Sequence, residues 1–430
     1  MTIPPSVGGG TRVPPPTEDV RRSTLPNGVR VLTDSVPHAQ SVALSVWVGV
    51  GSRDEPEADA GASHFLEHLL FKGTETLSAQ ELSIAVDSVG GEMNAFTANE
   101  HTTYFARVPA GELDLGTELL LDVVEAPALR DPDFESERDV ILEELAAAAD
   151  DPDDVASVAL FEALFPGHPL GREVLGTEES IASLRRDSVA EFFDTWYRPA
   201  SLVVVAAGRV THDSVVEAVG SRFGSTLGPT PQRSAPTDGV VELTSLTRPV
   251  ESVHLALGWR GVSASDDDRH ALAVLHHVVG GGPSSRLFQE AREKRGLTYS
   301  IVSALSHNVD CGALTVHAST STGKAGELMT VVDSVVGELA ANGVTEGELD
   351  RAKRSIRGGC AIGYEDVGAR MMRLGSDEVM RGTIDPVADE LEQLDGVSAV
   401  DVARVARRVL GSPRSLAVVG PPGLPRSLQA

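Results

Sequence analysis

The chain has 430 residues, of which 41% are hydrophobic and 23% charged, a balance typical of a globular protein with two or more domains. Its formal net charge of -27, with no basic stripe, argues against a nucleic-acid partner, because phosphates are bound by lysine and arginine. No apolar run reaches the roughly 18 residues that span a bilayer, and the N-terminus lacks the basic start and apolar core of a signal peptide. We therefore expect a cytoplasmic protein with no membrane partner.

The first half of the sequence predicts a hairpin-like start, a strand and a series of helices. Residues 1–22 are rich in Pro and Gly and are expected to form a flexible tail. The turn signal Asn27-Gly28 places the first hairpin just after Ser23, and the alternation of apolar residues over 41–50 predicts a strand with one buried face. Further helices are predicted near 78–89 and over 111–125, 133–149, 155–164 and 188–195. Residues 92–108 are predicted to form two strands or one long bent strand, and residues 202–207 a further strand.

Residues 64–68 read His-Phe-Leu-Glu-His and are the most informative stretch of the chain. Apolar residues between and after them leave His64, Glu67 and His68 on one face of a helix, because positions three and four apart are neighbours there. Two imidazoles one turn apart can bind one metal ion. Glu67 is then close enough to hold a water molecule and accept its proton.

A catalytic zinc ion usually takes three protein ligands and keeps one position open, so a third ligand is required. Glu137 and Glu144 offer one, since they lie two turns apart on one face of the predicted helix 133–149. Glu143 is rotated away from that face by about 100°. His101 has no helical spacing to His64 and is not expected to bind the metal.

Residues 228–239 form the clearest linker, because Pro and Gly occur at both of its ends. After it, the second half repeats the order of predicted elements in the first half, which indicates an internal duplication. The second copy lacks the His-x-x-Glu-His motif, and the counterpart of Glu144 falls in Arg-Ser-Ile-Arg-Gly-Gly. His276 and His277 are adjacent and point about 100° apart on their helix, so we interpret them as packing or surface residues.

These motifs resemble the inverted zincins of the insulinase/pitrilysin metallopeptidase family, and most closely the bacterial relatives of the mitochondrial processing peptidase. His68 and Glu144 are separated by 75 residues, a spacing similar to that of the family. The resemblance covers about residues 23–420 and extends to stretches beyond the ligands. These stretches are residues 61–74, 90–97, 137–144, 167–172 and 284–299.

The resemblance implies an α+β fold of two homologous halves, each with an antiparallel-rich sheet and helices packed on one side. It implies a zinc-binding catalytic domain over residues 23–227 and a homologous domain without metal over 240–422, followed by a short tail at 423–430. Two such chains enclose a chamber in relatives of this kind. The resemblance therefore implies a homodimer that admits short or unfolded peptides.

The resemblance also assigns roles to individual residues. It implies that one Zn²⁺ per chain is bound by His64, His68 and Glu144, with Glu67 as the general base. Glu137 is expected to support a ligand histidine. The resemblance implies roles for two further pairs: Asn94 and Ala95 would offer a strand edge to the substrate, and Arg292 and Tyr299 would approach the scissile peptide from the second half.

Alternatives remain open at this point. Arg292 and Tyr299 are also compatible with an ordinary surface arginine and a half-buried tyrosine. The sequence is equally compatible with their action on the zinc site of their own chain and on that of a partner chain. The chain as a whole could be a non-catalytic partner subunit or a peptide-binding protein of the same fold. A complete ligand set favours a zinc metalloendopeptidase, and the absence of a fourth nearby protein ligand argues against a structural zinc site.

Overall fold

The computed structural model describes residues 13–220, 222–237, 242–425 and 428–429. The first half contains β1 (Val20–Thr24), β2 (Arg30–Ser35), β3 (Ser41–Val48), α1 (Ala62–Leu70), α2 (Ala79–Ser88), β4 (Glu92–Thr97), β5 (Thr102–Pro109), α3 (Leu113–Glu125), α4 (Asp131–Asp150), α5 (Pro152–Leu164), α6 (Glu178–Ser183), α7 (Arg186–Trp196), β6 (Leu202–Gly208) and α8 (His212–Gly220). The predicted strands and helices of this half are present, and residues 92–108 form two strands rather than one bent strand. Among the described residues, no helix has the length and apolarity needed to cross a membrane.

The second half repeats this arrangement. It contains β7 (Leu243–Thr247), β8 (Ser252–Arg260), α9 (Arg269–Val279), a π-helical segment (Phe288–Glu293), β9 (Ser300–His307), β10 (Gly312–Ser321), α10 (Thr322–Asn342), α11 (Glu346–Gly363), α12 (Val367–Arg381), α13 (Val387–Gly396), α14 (Ala399–Val409) and β11 (Arg414–Gly420). The first sheet has the strand order β1-β2-β6-β3-β5-β4 and the second has β7-β11-β8-β10-β9. In each sheet one parallel pair, β2 with β6 or β7 with β11, adjoins antiparallel strands. This shared topology confirms the predicted fold class of two homologous α/β halves.

Each sheet packs its own helices on one face, because apolar residues alternate along the strands. In the first half Leu44 and Val46 of β3 join a core with Phe65 and Leu66 of α1. The other face of each sheet is covered by a helix from the other half, which was not predicted. Thus α5 packs on the second sheet and α12 packs on the first.

The contact of α12 with the first sheet depends on a close approach. Met371 and Leu374 of α12 share a buried cluster with Trp47 of β3 and Val203 of β6. A Cβ atom at Gly375 would lie 2.0 Å from the indole ring of Trp47, so only glycine fits there without a shift.

The prediction of a tail at each end is partly wrong, because both ends of the described chain contact the folded halves. Strand β1 begins at Val20, within the predicted tail of residues 1–22, and the Glu18 carboxylate accepts hydrogen bonds from the Tyr364 hydroxyl and the Val387 amide. Leu424 and Leu428 are buried in the core of the second half, although residues 423–430 were expected to form a tail. Residues 1–12, 426–427 and 430 of these predicted tails lie outside the described residues.

The predicted linker has no helix or strand over residues 228–237, and residues 238–239 lie outside the described residues. It is nevertheless fixed to the first half, because Arg233 forms a double hydrogen bond with the carboxylate of Asp54, at 2.8 and 2.6 Å. Its guanidinium also donates to the backbone carbonyl of Glu100.

Next to the linker, a buried group of charges that we call the junction cluster joins the two halves. Arg53 is 5% exposed and pairs with Glu100 in the first half and, at 2.7 Å, with Asp310 in the second. Its guanidinium also donates to the backbone carbonyl of Ser234 in the linker. The Glu100 carboxylate accepts the backbone N–H of Val309 at 2.9 Å. The loop before α1 and the β4–β5 turn are therefore held against the β9–β10 turn of the second half.

Candidate metal centre

The position of α1 is set at its N-terminus by a buried carboxylate. Gly61 takes a left-handed conformation with φ 94° just before the helix. The Glu55 carboxylate accepts the backbone N–H groups of Gly61 and Ser63 at 2.8 and 2.6 Å, so it satisfies amides that the helix itself leaves unpaired. Burial raises the pKa of Glu55 to about 7, against the opposing effect of these hydrogen bonds.

Two helices bring the candidate ligands together. Phe65 of α1 stacks on Phe134 of α4, with ring centroids 4.4 Å apart, and Ile141 of α4 is fully buried in the same core. Glu137 and Glu144 share the face of α4 that carries Ile141, because they lie four residues before it and three residues after it. Both carboxylates therefore face α1.

The structure groups His64, His68 and Glu144 with one donor atom from each side chain lying within 4.8 Å of the others. The Nε2 atoms of His64 and His68 are 3.8 and 3.6 Å from Glu144 Oε2. Tetrahedral zinc with bonds of about 2.0–2.1 Å holds its donors roughly 3.4 Å apart, so only small movements are needed for these residues to share one ion. Among the described residues this is the one group of three or more His, Cys, Asp or Glu side chains with such spacing.

The chemistry of the donor set also fits zinc. Burial, with a smaller effect of His68, lowers the pKa of His64 to about 4, so the imidazole is neutral near pH 7 and has a lone pair to offer. The two histidine rings are packed edge to face, with centroids 4.7 Å apart. Two imidazole nitrogens and one carboxylate match the ligand type of catalytic zinc sites.

Glu137 lies behind the ligands rather than among them. Its Oε2 is 3.0 Å from Nδ1 of His68, while its Oε1 is 2.5 Å from the Lys72 ammonium. A proton on Nδ1 that is donated to Glu137 leaves Nε2 of His68 free to bind a metal. The sequence predicted the supporting role of Glu137 but did not indicate Lys72.

Glu67 lies on the same face of α1 and is half-buried. Burial raises the pKa of its carboxyl, and a hydrogen bond from Thr97 opposes that shift. The Thr97 hydroxyl donates to Glu67 Oε2 at 2.5 Å across 30 residues of sequence. Sequence reasoning missed Thr97, because nothing in the local pattern links the end of β4 to α1.

Two residues considered as alternative ligands lie apart from this group. His101 packs its ring on Trp47 and Phe96, with centroid distances of 4.9 and 5.8 Å, and burial lowers its pKa to about 4. It is a packing residue of the outer sheet face. Glu143 is exposed and does not join the group of His64, His68 and Glu144.

Asn94 and Ala95 lie on β4, which is the edge strand of the first sheet and pairs with β5 alone. The Asn94 side chain is exposed, and its Oδ1 accepts the backbone N–H of Ala95 at 2.8 Å. Thr97 at the end of the same strand contacts Glu67. The unpaired edge of β4 therefore runs up to the candidate metal centre.

Arg292 and Tyr299 lie together in the second half, with the guanidinium carbon 4.7 Å from the tyrosine ring centroid. Tyr299 is 82% exposed. Within the described part of the chain, no hydrogen bond or ion pair joins either residue to α1 or α4. The structure thus brings this pair together but does not bring it into contact with His64, Glu67, His68 or Glu144.

Comparison with known proteins places this geometry in a family. Residues 30–178 match the family model described as insulinase, peptidase family M16, and residues 183–356 match the model described as the peptidase M16 inactive domain. A protein of Mycobacterium tuberculosis named as an uncharacterized zinc protease is 45% identical over 414 residues, covering 95% of this chain and 94% of its own. Another uncharacterized zinc protease, YmxG of Bacillus subtilis, is 34% identical over 406 residues and covers 94% and 99%.

Solved structures share the whole fold at lower sequence identity. A protease from Helicobacter pylori has a TM-score of 0.87 at 24% identity, covering 94% of this chain and 100% of its own. A Pseudomonas fluorescens structure described as a peptidase M16 inactive domain has a TM-score of 0.88 at 19% identity and covers 95% and 99%. These likenesses concern the fold alone, whereas the family models and the more similar relatives settle membership: the chain belongs to the insulinase family of peptidases, M16.

Proposed function

We propose that the chain is a zinc-dependent endopeptidase that hydrolyses short or unfolded peptides. The observation that carries this proposal is the grouping of His64, His68 and Glu144 around one point, with Glu67 one residue from His68 on the same helical face. A structural zinc site would use four protein ligands, whereas this group leaves one position for water or substrate.

Each of these residues would have a separate role. His64 and His68 would bind through Nε2 and Glu144 through its carboxylate, while Glu137 holds His68 in the tautomer that binds. When bound, zinc supplies Lewis acidity, which lowers the pKa of water and polarises a peptide carbonyl. Glu67 would take a proton from the attacking water and deliver it to the leaving amine. Its raised pKa favours that second role.

The edge of β4 is the proposed docking site for the substrate backbone. Strand addition at a sheet edge pairs main-chain groups and so selects an extended chain rather than a particular sequence. The exposed Asn94 and the adjoining Ala95 lie on this edge, and Thr97 at its end contacts the general base. A folded protein cannot present its backbone in this way, which supports unfolded peptides as substrates.

Arg292 and Tyr299 are proposed to donate hydrogen bonds to the carbonyl oxygen of the scissile peptide or to the charge that develops on it. The large exposure of Tyr299, which forms no hydrogen bond with α1 or α4 among the described residues, supports a role that needs a second element or a second chain. We therefore also propose a homodimer that encloses the site, located in the cytoplasm.

A second candidate is a non-catalytic peptide-binding subunit. This candidate is supported by the description of one family model, and of the Pseudomonas fluorescens structure, as an inactive domain. The complete donor set of the first half supports the enzyme instead.

Cleavage of a mixed library of unfolded peptides, with zinc measured on the same samples, tests the proposal. The purified chain is compared with Glu67→Gln and with Glu143→Gln, a matched change at an exposed residue on α4. We expect Glu67→Gln to retain zinc and lose about 10²- to 10⁴-fold in rate, and Glu143→Gln to behave as the unchanged chain. A zinc-loaded chain that cleaves no peptide would favour the binding subunit, and a chain that binds no zinc would contradict the zinc endopeptidase.

A further inference from the structure

The carboxylate of Glu67 has a dedicated hydrogen-bond donor that belongs to another element of the fold. The Thr97 hydroxyl, at the end of β4, lies 2.5 Å from Glu67 Oε2. A hydroxyl has one proton to donate, and in this structure the proton goes to Glu67. A hydrogen bond to an ionised carboxylate is short and about twice as strong as one between neutral groups.

This contact fixes one oxygen of the carboxylate and leaves the other free. A glutamate side chain has three rotatable bonds, so an unrestrained Glu67 would spread over several rotamers. With Oε2 bound to Thr97, Oε1 is the oxygen that remains for a reacting water molecule. We propose that Thr97 is a positioning residue that holds the general base in its productive orientation, an inference that rests on the peptidase function proposed above.

Thr97 is itself held from both sides, so it can act as a fixed support. It pairs with Thr102 across the β4–β5 hairpin. The next two residues accept backbone hydrogen bonds from the loop before α1, at 3.2 Å from Ser52 to Ala98 and at 2.8 Å from Arg53 to Asn99.

The approach of that loop is close enough to need a glycine. A Cβ atom at Gly51 would lie 2.1 Å from the carbonyl oxygen of Ala98. The junction cluster of Arg53, Glu100 and Asp310 then joins this turn to the second half. The position of Thr97 is therefore fixed by its neighbours, and it does not shift when the Glu67 side chain moves. The hydrogen bond for this reason restrains Glu67.

Substitution of Thr97 separates this role from a merely structural one. Thr97→Val keeps the branched shape that suits a strand and removes the hydroxyl, whereas Thr97→Ser keeps the hydroxyl and removes the methyl group. Thr103→Val is the matched control, since the Thr103 hydroxyl is buried on the neighbouring strand without a hydrogen-bond partner among the described residues. The four zinc-loaded proteins are compared for kcat, KM, zinc content and the Glu67 conformation in crystals.

We expect kcat of Thr97→Val to fall about 10- to 100-fold, because misplacement of a catalytic group by ~1 Å can cost that much, while KM and zinc content stay within about twofold. We expect Thr97→Ser and Thr103→Val to keep most of the activity, and Glu67 to occupy more than one rotamer only in Thr97→Val. An unchanged kcat in Thr97→Val, or an equal loss in Thr97→Ser, would overturn the inference while the peptidase function stands. A wild-type chain that cleaves nothing would overturn both.

Discussion

The sheets of the two halves have the same strand order apart from the additional edge strand β1 of the first, yet among the described residues only the first half groups metal-binding side chains. In the first half α1 presents His64 and His68 toward α4. In the second half α9 occupies the same place, but there Nε2 of His276 donates a hydrogen bond to the backbone carbonyl of Ser303, at 2.9 Å. The apolar pattern therefore builds the scaffold in both halves, while a few polar residues on one face of two helices decide whether a half can bind a metal ion.

Loss of a ligand from the first half has the largest expected effect. His64→Ala leaves two of three donors, and we expect zinc affinity to fall more than 100-fold, beyond the 10- to 100-fold loss typical of residues that only support ligands. Peptide cleavage should disappear with the metal. Zinc content after dialysis against a weak chelator measures the change.

The matched control for that substitution lies in the second half. His277→Ala removes a half-buried histidine from α9, and we expect zinc content and cleavage to match the unchanged chain. Loss of zinc in this variant would mean that the second half contributes to metal binding and that the contrast between the halves is mistaken.

The packing of α12 from the second half on the first sheet can be disrupted at Gly375. Gly375→Ala adds a Cβ atom 2.0 Å from the rigid indole of Trp47, and we expect the free energy of unfolding to fall by about 3 kcal/mol. Chemical denaturation measures this loss. Gly359→Ala, at an exposed position of α11 with no heavy atom within 4 Å of the added Cβ, should instead stabilise the protein by about 0.5 kcal/mol. Equal effects of the two changes would contradict the close packing of α12 on Trp47.

The support of His68 can be weakened without removing a ligand. Glu137→Gln keeps a hydrogen-bond acceptor for His68 Nδ1 but loses the charge that pairs with Lys72, so we expect zinc affinity to fall about tenfold. At saturating zinc most of the cleavage rate should return. Competition with a chelator of known affinity measures the shift, and an affinity equal to that of the unchanged chain would show that the carboxylate charge is unimportant.

The smallest expected effect concerns His101 on the outer face of the first sheet. Its pKa of about 4 in the folded chain lies below the unfolded value of about 6.5, so the unfolded state binds more protons between these limits. The free energy of unfolding should be unaffected by this group above about pH 6.5 and should fall as the pH drops toward 4. Because the ring is only half-buried, we expect a loss of about 1 kcal/mol.

Urea unfolding at pH 7 and pH 4.5 tests this behaviour. The variant His101→Phe keeps a ring against Trp47 and cannot titrate, so its stability should fall less between the two pH values than that of the unchanged chain. An identical fall in both proteins would assign the pH dependence to other groups.

The sequence alone was sufficient for those features that depend on local periodicity. His64, Glu67 and His68 could be placed on one helical face because the period of a helix is fixed, and Glu137 and Glu144 because seven residues make two turns. The duplication was visible because apolar residues recur in the same order in both halves. The family and the fold class, inferred from these motifs, are confirmed by the comparisons and the structure.

Features that depend on contacts between distant segments could not be predicted in this way. The amphipathic pattern of α12 predicts a buried face but does not say which sheet covers it. Thr97 and Glu55 are a strand threonine and a loop glutamate in the sequence, and their contacts with α1 exist only in three dimensions. Glu18 and Leu428 looked like tail residues for the same reason, because their partners lie far away along the chain.

The exchange of α5 and α12 has a consequence for how the protein is made. As the chain leaves the ribosome, the first sheet can close when β6 is complete, but its outer face around Trp47 stays bare until Val367–Arg381 has been synthesised. A gene cut at the linker would therefore yield a half with one uncovered apolar sheet face, which is prone to aggregate. Neither half could be moved into another protein without exposing this sheet face, because the helix that packs on it belongs to the other half.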